Sequence, residues 1–255
     1  MTRFVIAADK KFYCHLSALI GSIHRNCTNF SISVYDLGLL PEQRDIVSKV
    51  KNVTVKEVER VNNYILTDLR SHPCDEVNDA MVTGLYSWKP VILKQELDEH
   101  EAILYLDAGM MVIKDVSMLW NYISDKGYWL TPIHNINWMT TDYVKDKLKV
   151  SDMVLLSIGI HAGMQGLTRS VYHSYVLPCY EYAKDIELFK DDGTAYGGIN
   201  SGRHDQTLFS IQAVRAELMP TNVIPIARDR ISITDKSIIF CCAGDSDYYD
   251  LKELI

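Results

Sequence analysis

Apolar and polar residues in this chain fall into short blocks whose period alternates between two and about 3.6. Phe4-Val5-Ile6-Ala7-Ala8 is an unbroken apolar run that ends at Asp9. A run of that length suits a strand buried on both faces. Phe12, Leu16, Leu19, Ile20 and Ile23 then recur at helical spacing, which predicts a helix with one apolar face. Asp9 stands where it can cap that helix, and the same strand-to-helix turn exposes backbone N–H groups to an anion. Ser31 to Tyr35 alternates as a second strand, and Val53-Thr54-Val55 predicts a third. Between them Pro41 opens a second helix, where its missing N–H costs little. Strand, helix, strand, helix, strand is the order of a parallel sheet covered by helices.

From 62 to 84 the periodicity is weak, which predicts an irregular stretch of the kind that is often functional in compact domains. Trp88-Lys89-Pro90 leads into a helix over 91–97. Next comes Ala102-Ile103-Leu104-Tyr105-Leu106-Asp107-Ala108-Gly109. It begins as a buried strand and ends in one carboxylate followed by two tiny residues. A charge is costly in a core unless it is paired or ligates a metal. Asp107 is therefore expected at the carboxyl end of a central strand, where α/β sheets place their ligand crevice. Ala108 and Gly109 would let a bulky ligand approach the backbone. The plainer alternative is an Asp that caps the next turn. Downstream, 116–123 reads as a helix and 127–131 as a strand, while 134–152 has no clean period. The run 153–167 again passes from apolar residues to small ones. A helix is expected from about 170 to 184, turns through Gly193 and Gly197-Gly198, a helix opening at 201–206, and a late strand over 238–242.

The chain has 255 residues and a net charge of −7 without any basic block, which argues against a nucleic-acid partner. No stretch is apolar and long enough for a transmembrane segment. Met1-Thr2-Arg3 runs straight into the first strand without the features of a signal peptide. Six cysteines with no CxxC pair suit reduced thiols better than a disulfide framework or a zinc site, so a cytoplasmic location is expected.

A series of short stretches, taken in order, resembles the nucleotide-sugar glycosyltransferases of the GT-A fold, family 8 in particular. Ile6-Ala7-Ala8-Asp9-Lys10-Lys11-Phe12-Tyr13 resembles the nucleotide-binding opening of that family, and Val34 to Leu39 its second strand. Leu104 to Gly109 resembles its Tyr-Leu-Asp-x-Asp segment, with Lys89 about where a basic residue precedes it. His161-Ala162-Gly163 and His204-Asp205-Gln206 resemble its Asn-Ala/Ser-Gly and Asp-Gln segments. The resemblance implies an α/β fold: a GT-A (Rossmann-like) mixed, mostly parallel central sheet flanked by helices. It implies one glycosyltransferase domain over 1–255, with a nucleotide-binding half of about 1–115 and an acceptor and catalytic half of about 116–255. It further implies transfer of a sugar from a nucleotide-diphosphate sugar, UDP before GDP, to a glycan or other carbohydrate acceptor. Ala7, Ala8, Asp9, Tyr13, Lys89, Asp107, Ala108, Gly109, His161, Ala162, Gly163 and Gln206 would border the donor, and Asp205 would be the catalytic carboxylate. In the family the Asp-x-Asp binds a divalent metal, so Mn²⁺ or Mg²⁺ is the implied cofactor, with Asp107 as its ligand. Here the second Asp is Gly109. The late strand reads Phe240-Cys241-Cys242-Ala243-Gly244 where the family has a His ligand and then Lys-Pro-Trp. Hard cations prefer oxygen and gain little from Cys241, although one carboxylate with water and diphosphate oxygens can still hold Mg²⁺.

Glycosyl transfer has an oxocarbenium-like transition state, and negative charge grows on the departing diphosphate. Something cationic or dipolar has to meet that charge. The candidates are a metal on Asp107, the side chains of Lys10, Lys89 and Arg203, and the N–H groups opening the first helix. A solvated surface role is the plainer reading of each cation. Asp205 follows a glycine turn at a helix start and is the choice for activating an acceptor hydroxyl in an inverting enzyme, with His204 as an alternative base; in a retaining one it would instead contact the donor sugar or stabilise positive charge at the anomeric centre. Its plainer role is helix N-terminal charge complementation, worth about 0.3–1 kcal/mol. Trp88, Trp129, Trp138 and Tyr13 can stack on sugar or base faces. Trp138 stands out because Asn135, Asn137, Thr140 and Thr141 around it are polar. Two other readings stay open. A sugar nucleotidyltransferase would need a glycine-rich loop that Ala7 to Lys11 lacks. A non-catalytic nucleotide-sugar or glycan binder that has lost its metal site is motivated by Gly109 and Cys241.

Overall fold

A computed structural model describes residues 1–71, 81–198, 201–223, 226–227, 232–234, 236–241 and 247–255. The opening follows the patterning: β1 (Thr2–Ala8), α1 (Tyr13–Asn26), β2 (Phe30–Asp36), α2 (Pro41–Lys49) and β3 (Val53–Glu57). These three strands pair in parallel. A short antiparallel ribbon, β4 (Asp68–Arg70) and β5 (Met81–Thr83), precedes α3 (Trp88–Glu99) and β6 (Ala102–Leu106). β6 pairs in parallel with the other side of β1. β7 (Met110–Val112), α4 (Ser117–Lys126), β8 (Tyr128–Asn135), α5 (Asp142–Leu148), α6 (Asp152–Leu155) and β9 (Ile158–Thr168) follow. β9 runs antiparallel to both β6 and β8. The central sheet thus has the order β3-β2-β1-β6-β9-β8, mixed and mostly parallel.

Strand order reverses its direction of advance between β1 and β6. In open α/β sheets the crevice beyond the strand carboxyl ends at such a switch point is where ligands bind. Asp9 and Asp107 immediately follow those two strands.

Period-two alternation divides the core. Phe4, Ile6 and Ala8 of β1 pack with Leu104 and Leu106 of β6, under α1, α2 and α4. Val5 and Ala7 pack with Ile103 and Tyr105 on the opposite face. That face is covered by α3, α7 (Leu177–Tyr182) and α8 (His204–Arg215). Each fully buried Ile or Leu stabilises by about 1.5–3 kcal/mol, so both faces are well anchored. β7 joins β11 (Ile239–Cys241) and β10 (Ile226–Ala227) in a small second sheet. Among the described residues no helix is long and apolar enough to cross a membrane.

Four stretches depart from the patterning. The irregular 62–84 carries the β4–β5 ribbon, whose strands are too short to show a period. The aperiodic 134–152 folds as a 3₁₀ turn over Ile136–Met139 followed by α5. The run 153–167 splits into α6 and β9. The helix expected over 170–184 is broken into a 3₁₀ turn (Arg169–Val171), a π turn (Tyr172–Val176) and α7. Pro178 accounts for the last break, because it has no N–H for the carbonyl of Ser174 and its ring crowds that carbonyl. Gln212 Nε2 donates to the freed Ser174 oxygen at 2.6 Å instead. In the late strand, Cys242 to Gly244 lie outside the described residues.

Candidate active site

β1 and β6 pair as Phe4 with Leu104 and Val5 with Tyr105. The same register carried two residues on sets Ala7 level with Asp107. The Asp107 N–H donates to Gly163 O at 2.8 Å, tying the end of β6 to β9. A Cβ on Gly163 would stand 2.5 Å from Asp107 Oδ2, so this close approach requires glycine.

Lys89, in the first turn of α3, points under this junction. Its Nζ lies 3.1 Å from Asp107 Oδ1 and 2.7 Å from Asp205 Oδ2. Asp205 is in the first turn of α8. The Lys89 and Asp205 side chains are 3% and 8% exposed, whereas Asp107 keeps 39%. Asp107 is therefore the member of the trio that a ligand can reach. Tyr105 OH donates to Asp107 Oδ1. The rings of Tyr86, Trp88 and Tyr105 surround the ammonium with centroids 5.4, 5.7 and 5.4 Å away, an arrangement that favours the cation.

The two carboxyl groups titrate in opposite directions. Burial pushes Asp205 up, and the neighbouring Asp107 charge adds to the shift against the pull of Lys89. Burial also acts to raise Asp107, but Lys89, the Tyr105 hydrogen bond and His161 outweigh it and hold Asp107 below the usual range. Burial acts to lower Lys89, and the two carboxylates overcome it, so the amine stays charged. Opposed shifts of this kind occur in structural ion-pair networks as well as at catalytic sites.

Backbone strain concentrates here too. Among the described residues six non-glycine positions have positive φ, and three of them are Leu85 (48°), Tyr86 (64°) and His204 (39°). Such conformations cost about 1–3 kcal/mol each and cluster at active sites. The Tyr86 and His204 rings meet at 5.6 Å. His204 is buried, with Nδ1 2.6 Å from Phe189 O, which makes it an anchor for the start of α8.

The other predicted site residues divide into two groups. His161, Ala162, Gly163 and Gln206 gather at the same junction: the Gly163 N–H donates to His161 Nδ1 at 3.1 Å, and the Ala162 N–H to Gln206 Oε1 at 3.5 Å. Ala7, Ala8 and Ala108 are buried, at and just beyond the carboxyl ends of β1 and β6. Gly109 has open space where a Cβ would project. Asp9 takes the plainer role foreseen for it: Oδ1 accepts from Lys11 N (2.8 Å) and Phe12 N (3.1 Å), capping the turn before α1. The Lys10 N–H is bound to Gly38 O at 3.1 Å, so these opening N–H groups are already used. Tyr13 faces the C-terminal segment, where burial and the nearby Tyr248 and Asp250 push its phenol up. Trp88 and Trp129 are core residues, while Trp138 is exposed. Lys10 and Arg203 are exposed. The pattern had not singled out Tyr105 or Tyr86 as site residues, nor Thr83, whose hydroxyl sits 2.9 Å from Asp68 Oδ1 and 3.3 Å from Asp9 Oδ2. Tyr105, two residues before Asp107 on the same strand face, was the one of the three with a signal.

No known family profile matches the chain, and no curated protein matches it. Solved structures do. The galactosyltransferase LgtC, in complex with donor and acceptor sugar analogs, matches with a TM-score of 0.55 at 14% identity, over 99% of this chain and 94% of that one. Mouse xyloside xylosyltransferase 1 matches with a TM-score of 0.55 at 8% identity, over 98% of this chain and 99% of that one. The bifunctional glycosyltransferase WbbM matches with a TM-score of 0.53 at 11% identity, over 95% of this chain and 46% of that one. This chain therefore spans about half the length of WbbM. The fold is that of the GT-A glycosyltransferases.

A GT-A fold raises the question of a divalent metal, and here Asp107 is the member of the trio with an exposed carboxylate to offer one. Asp107 Oδ1 is occupied by Lys89 and Tyr105, and Asp205 turns onto the same ammonium. Position 109 supplies no carboxylate. Among the described residues no group of three His, Cys, Asp or Glu side chains could hold a cation. An incoming Mn²⁺ or Mg²⁺ would share its carboxylate with a buried positive charge.

Proposed function

We propose that this chain is a glycosyltransferase of the family 8 type that moves a sugar from a nucleotide-diphosphate donor, UDP before GDP, to a glycan or other carbohydrate acceptor. The observation that carries the reading is Lys89, buried between Asp107 and Asp205 at the sheet's switch point in a GT-A fold. With both acids ionised, one cation and two anions leave the trio at −1. That excess complements the positive charge that develops at the anomeric carbon in an oxocarbenium-like transition state. Asp107 presents its open face to the sugar, and Lys89 fixes the orientation of both carboxylates. Arg203, exposed and just before Asp205, is our candidate cation for the departing diphosphate. Lys10 is the second.

The test is thermal unfolding with UDP and with GDP, each with and without Mn²⁺, followed by hydrolysis of a panel of nucleotide sugars. A nucleotide at ten times its Kd adds about 1.4 kcal/mol. In a chain of this size that raises Tm by about 3–6 °C. No shift with either nucleotide overturns the reading. A shift without turnover of any donor selects the non-catalytic relative, which Gly109 and the occupied Oδ1 of Asp107 favour.

A further inference from the structure

Beyond the ionic trio, an aromatic pair stands on the outside of the molecule. Trp138 is 48% exposed and Tyr196 is 73% exposed, yet their rings meet edge to face, with centroids 6.1 Å apart at 65°. Single exposed aromatics are ordinary, and here two share one exposed place.

Hydrogen bonds hold the described backbone beside both rings. Buried Asp191 accepts from the N–H groups of Gly193 (3.0 Å) and Gly202 (3.3 Å), closing the base of the loop that carries Tyr196. Asp192 Oδ1 accepts from Thr194 N at 2.9 Å, and Thr194 Oγ1 accepts from Asp142 N at 2.7 Å. Ala195, next to Tyr196, is buried. The Gly197 N–H donates to Trp138 O at 3.0 Å, and a Cβ on Gly197 would stand 2.6 Å from the indole Nε1. Glycine at 197 thus lets the loop lie flat against the indole. Rings ordered before binding lose little freedom when a ligand arrives.

The pair also connects to the trio. Met139, the next residue after Trp138, accepts through its carbonyl from Thr207 Oγ1 (2.9 Å) and Arg203 N (3.4 Å). Its sulfur lies 3.5 Å from Gln206 Nε2. The indole therefore sits on the segment packed against the first turn of α8, the turn that carries Asp205. A chain of contacts runs on from Gln206 through Ala162 and Gly163 to Asp107.

We propose that Trp138 and Tyr196 form the acceptor platform, taking the C–H-lined face of a pyranose ring of the glycan that receives the transferred sugar. The proposal rests on the glycosyltransferase reading for the word acceptor, but binding of the sugar does not depend on it. A pyranose has one face of C–H groups and a rim of hydroxyls. A rigid tryptophan with an indole N–H and a tyrosine with a hydroxyl match both parts. In the glycosyltransferase reading the nucleotide itself lies by the β1 and β6 ends, whereas Trp138 and Tyr196 belong to neither strand.

Saturation-transfer NMR with lactose, cellobiose, maltose and chitobiose, each at tens of millimolar, tests the platform beside calorimetric titration with UDP. The expected result is that at least one disaccharide binds. Its Kd should rise about tenfold in Trp138→Ala, equivalent to about 1.4 kcal/mol, and measurably in Tyr196→Ala. Trp138→Phe should recover most of the loss, and UDP affinity should stay that of the wild type. Disaccharide binding unchanged in both alanine variants, or no disaccharide bound by the wild type, overturns the platform, and UDP binding then decides the transferase reading alone. A disaccharide held through Trp138 by a protein that binds no nucleotide keeps the platform and removes the transferase. If Trp138→Ala fails to fold, Tyr196→Ala, at a largely exposed side chain, settles the question.

Discussion

Helix α3 buries two charges of opposite sign, two turns apart, and they keep different company. Glu96, 0% exposed, accepts from Tyr35 OH at 3.1 Å and pairs with Lys56 at 2.8 Å. Lys56 also pairs with Glu99 at 2.8 Å. Burial first, and Glu96 second, push the Tyr35 phenol up. Lys89, also buried, pairs with Asp107 and Asp205. Both obey the rule that a charge leaves water only with a partner. The contrast lies in what each cluster leaves over. Around Glu96 the backbone is relaxed, and the cluster joins α3 to β2 and β3. Around Lys89 one carboxylate keeps an open face, three residues hold positive φ, and the cluster lies where the strand order reverses. A buried ion pair by itself is a fastening. A buried ion pair with an open partner at a switch point leaves a charged group within reach of solvent.

The strongest way to break this contrast is through turnover. Asp107→Ala should lower nucleotide-sugar turnover about 10²–10³-fold, the cost of removing a preorganised electrostatic group. Glu96→Gln should leave kcat/KM within about twofold and act on stability alone. Equal losses of turnover would erase the distinction between the two clusters.

Unfolding in urea sharpens it further. Lys89→Met leaves two carboxylates facing each other without a cation and should cost about 3–5 kcal/mol. Lys56→Met leaves Glu96 with the Tyr35 hydroxyl and with His100, 3.7 Å from its Oε2, and Lys56 is itself 19% exposed, so the loss should be about 1.5–3 kcal/mol. A Lys89 variant as stable as wild type would show that the trio does not form.

The smallest effect is the pH dependence. Asp205 has a raised pKa in the folded protein, so its ionised form costs stability at neutral pH, and that cost disappears as pH falls through the folded value. Asp107 has a lowered one, so its contribution is full above the ordinary carboxylate value, about 3.9, and is lost only below it. The stability difference between Asp205→Asn and wild type should therefore move in favour of wild type as pH drops from 7 towards 4. Urea midpoints across that range measure it, and a difference independent of pH would show that Asp205 titrates normally.

Much of the scaffold could be read from local pattern. The β1 run, the α1 stripe from Phe12 to Ile23 and the strand ending at Asp107 all appear where period and polarity put them, because one face or both of each element is apolar. Pro178 was visible as well, but its consequence, a π turn and a carbonyl passed to Gln212, depended on a partner in α8. The β4–β5 ribbon was hidden because three residues cannot display a period.

Taken alone, the order of residues fixed the alternation of strands and helices, the burial of β1 and β6, and an acid at the end of a central strand. These follow from solvent-driven sorting along a chain of known local periods, which needs no distant neighbour. Only the folded chain decided that Lys89 lies between Asp107 and Asp205, that Tyr105 and Tyr86 surround it, that Asp9 is spent on a cap, and that Trp138 meets Tyr196. Each of those depends on how elements far apart in sequence pack. The energy of a buried charge or a ring contact is set by distances of a few ångströms, and linear pattern carries no information at that scale.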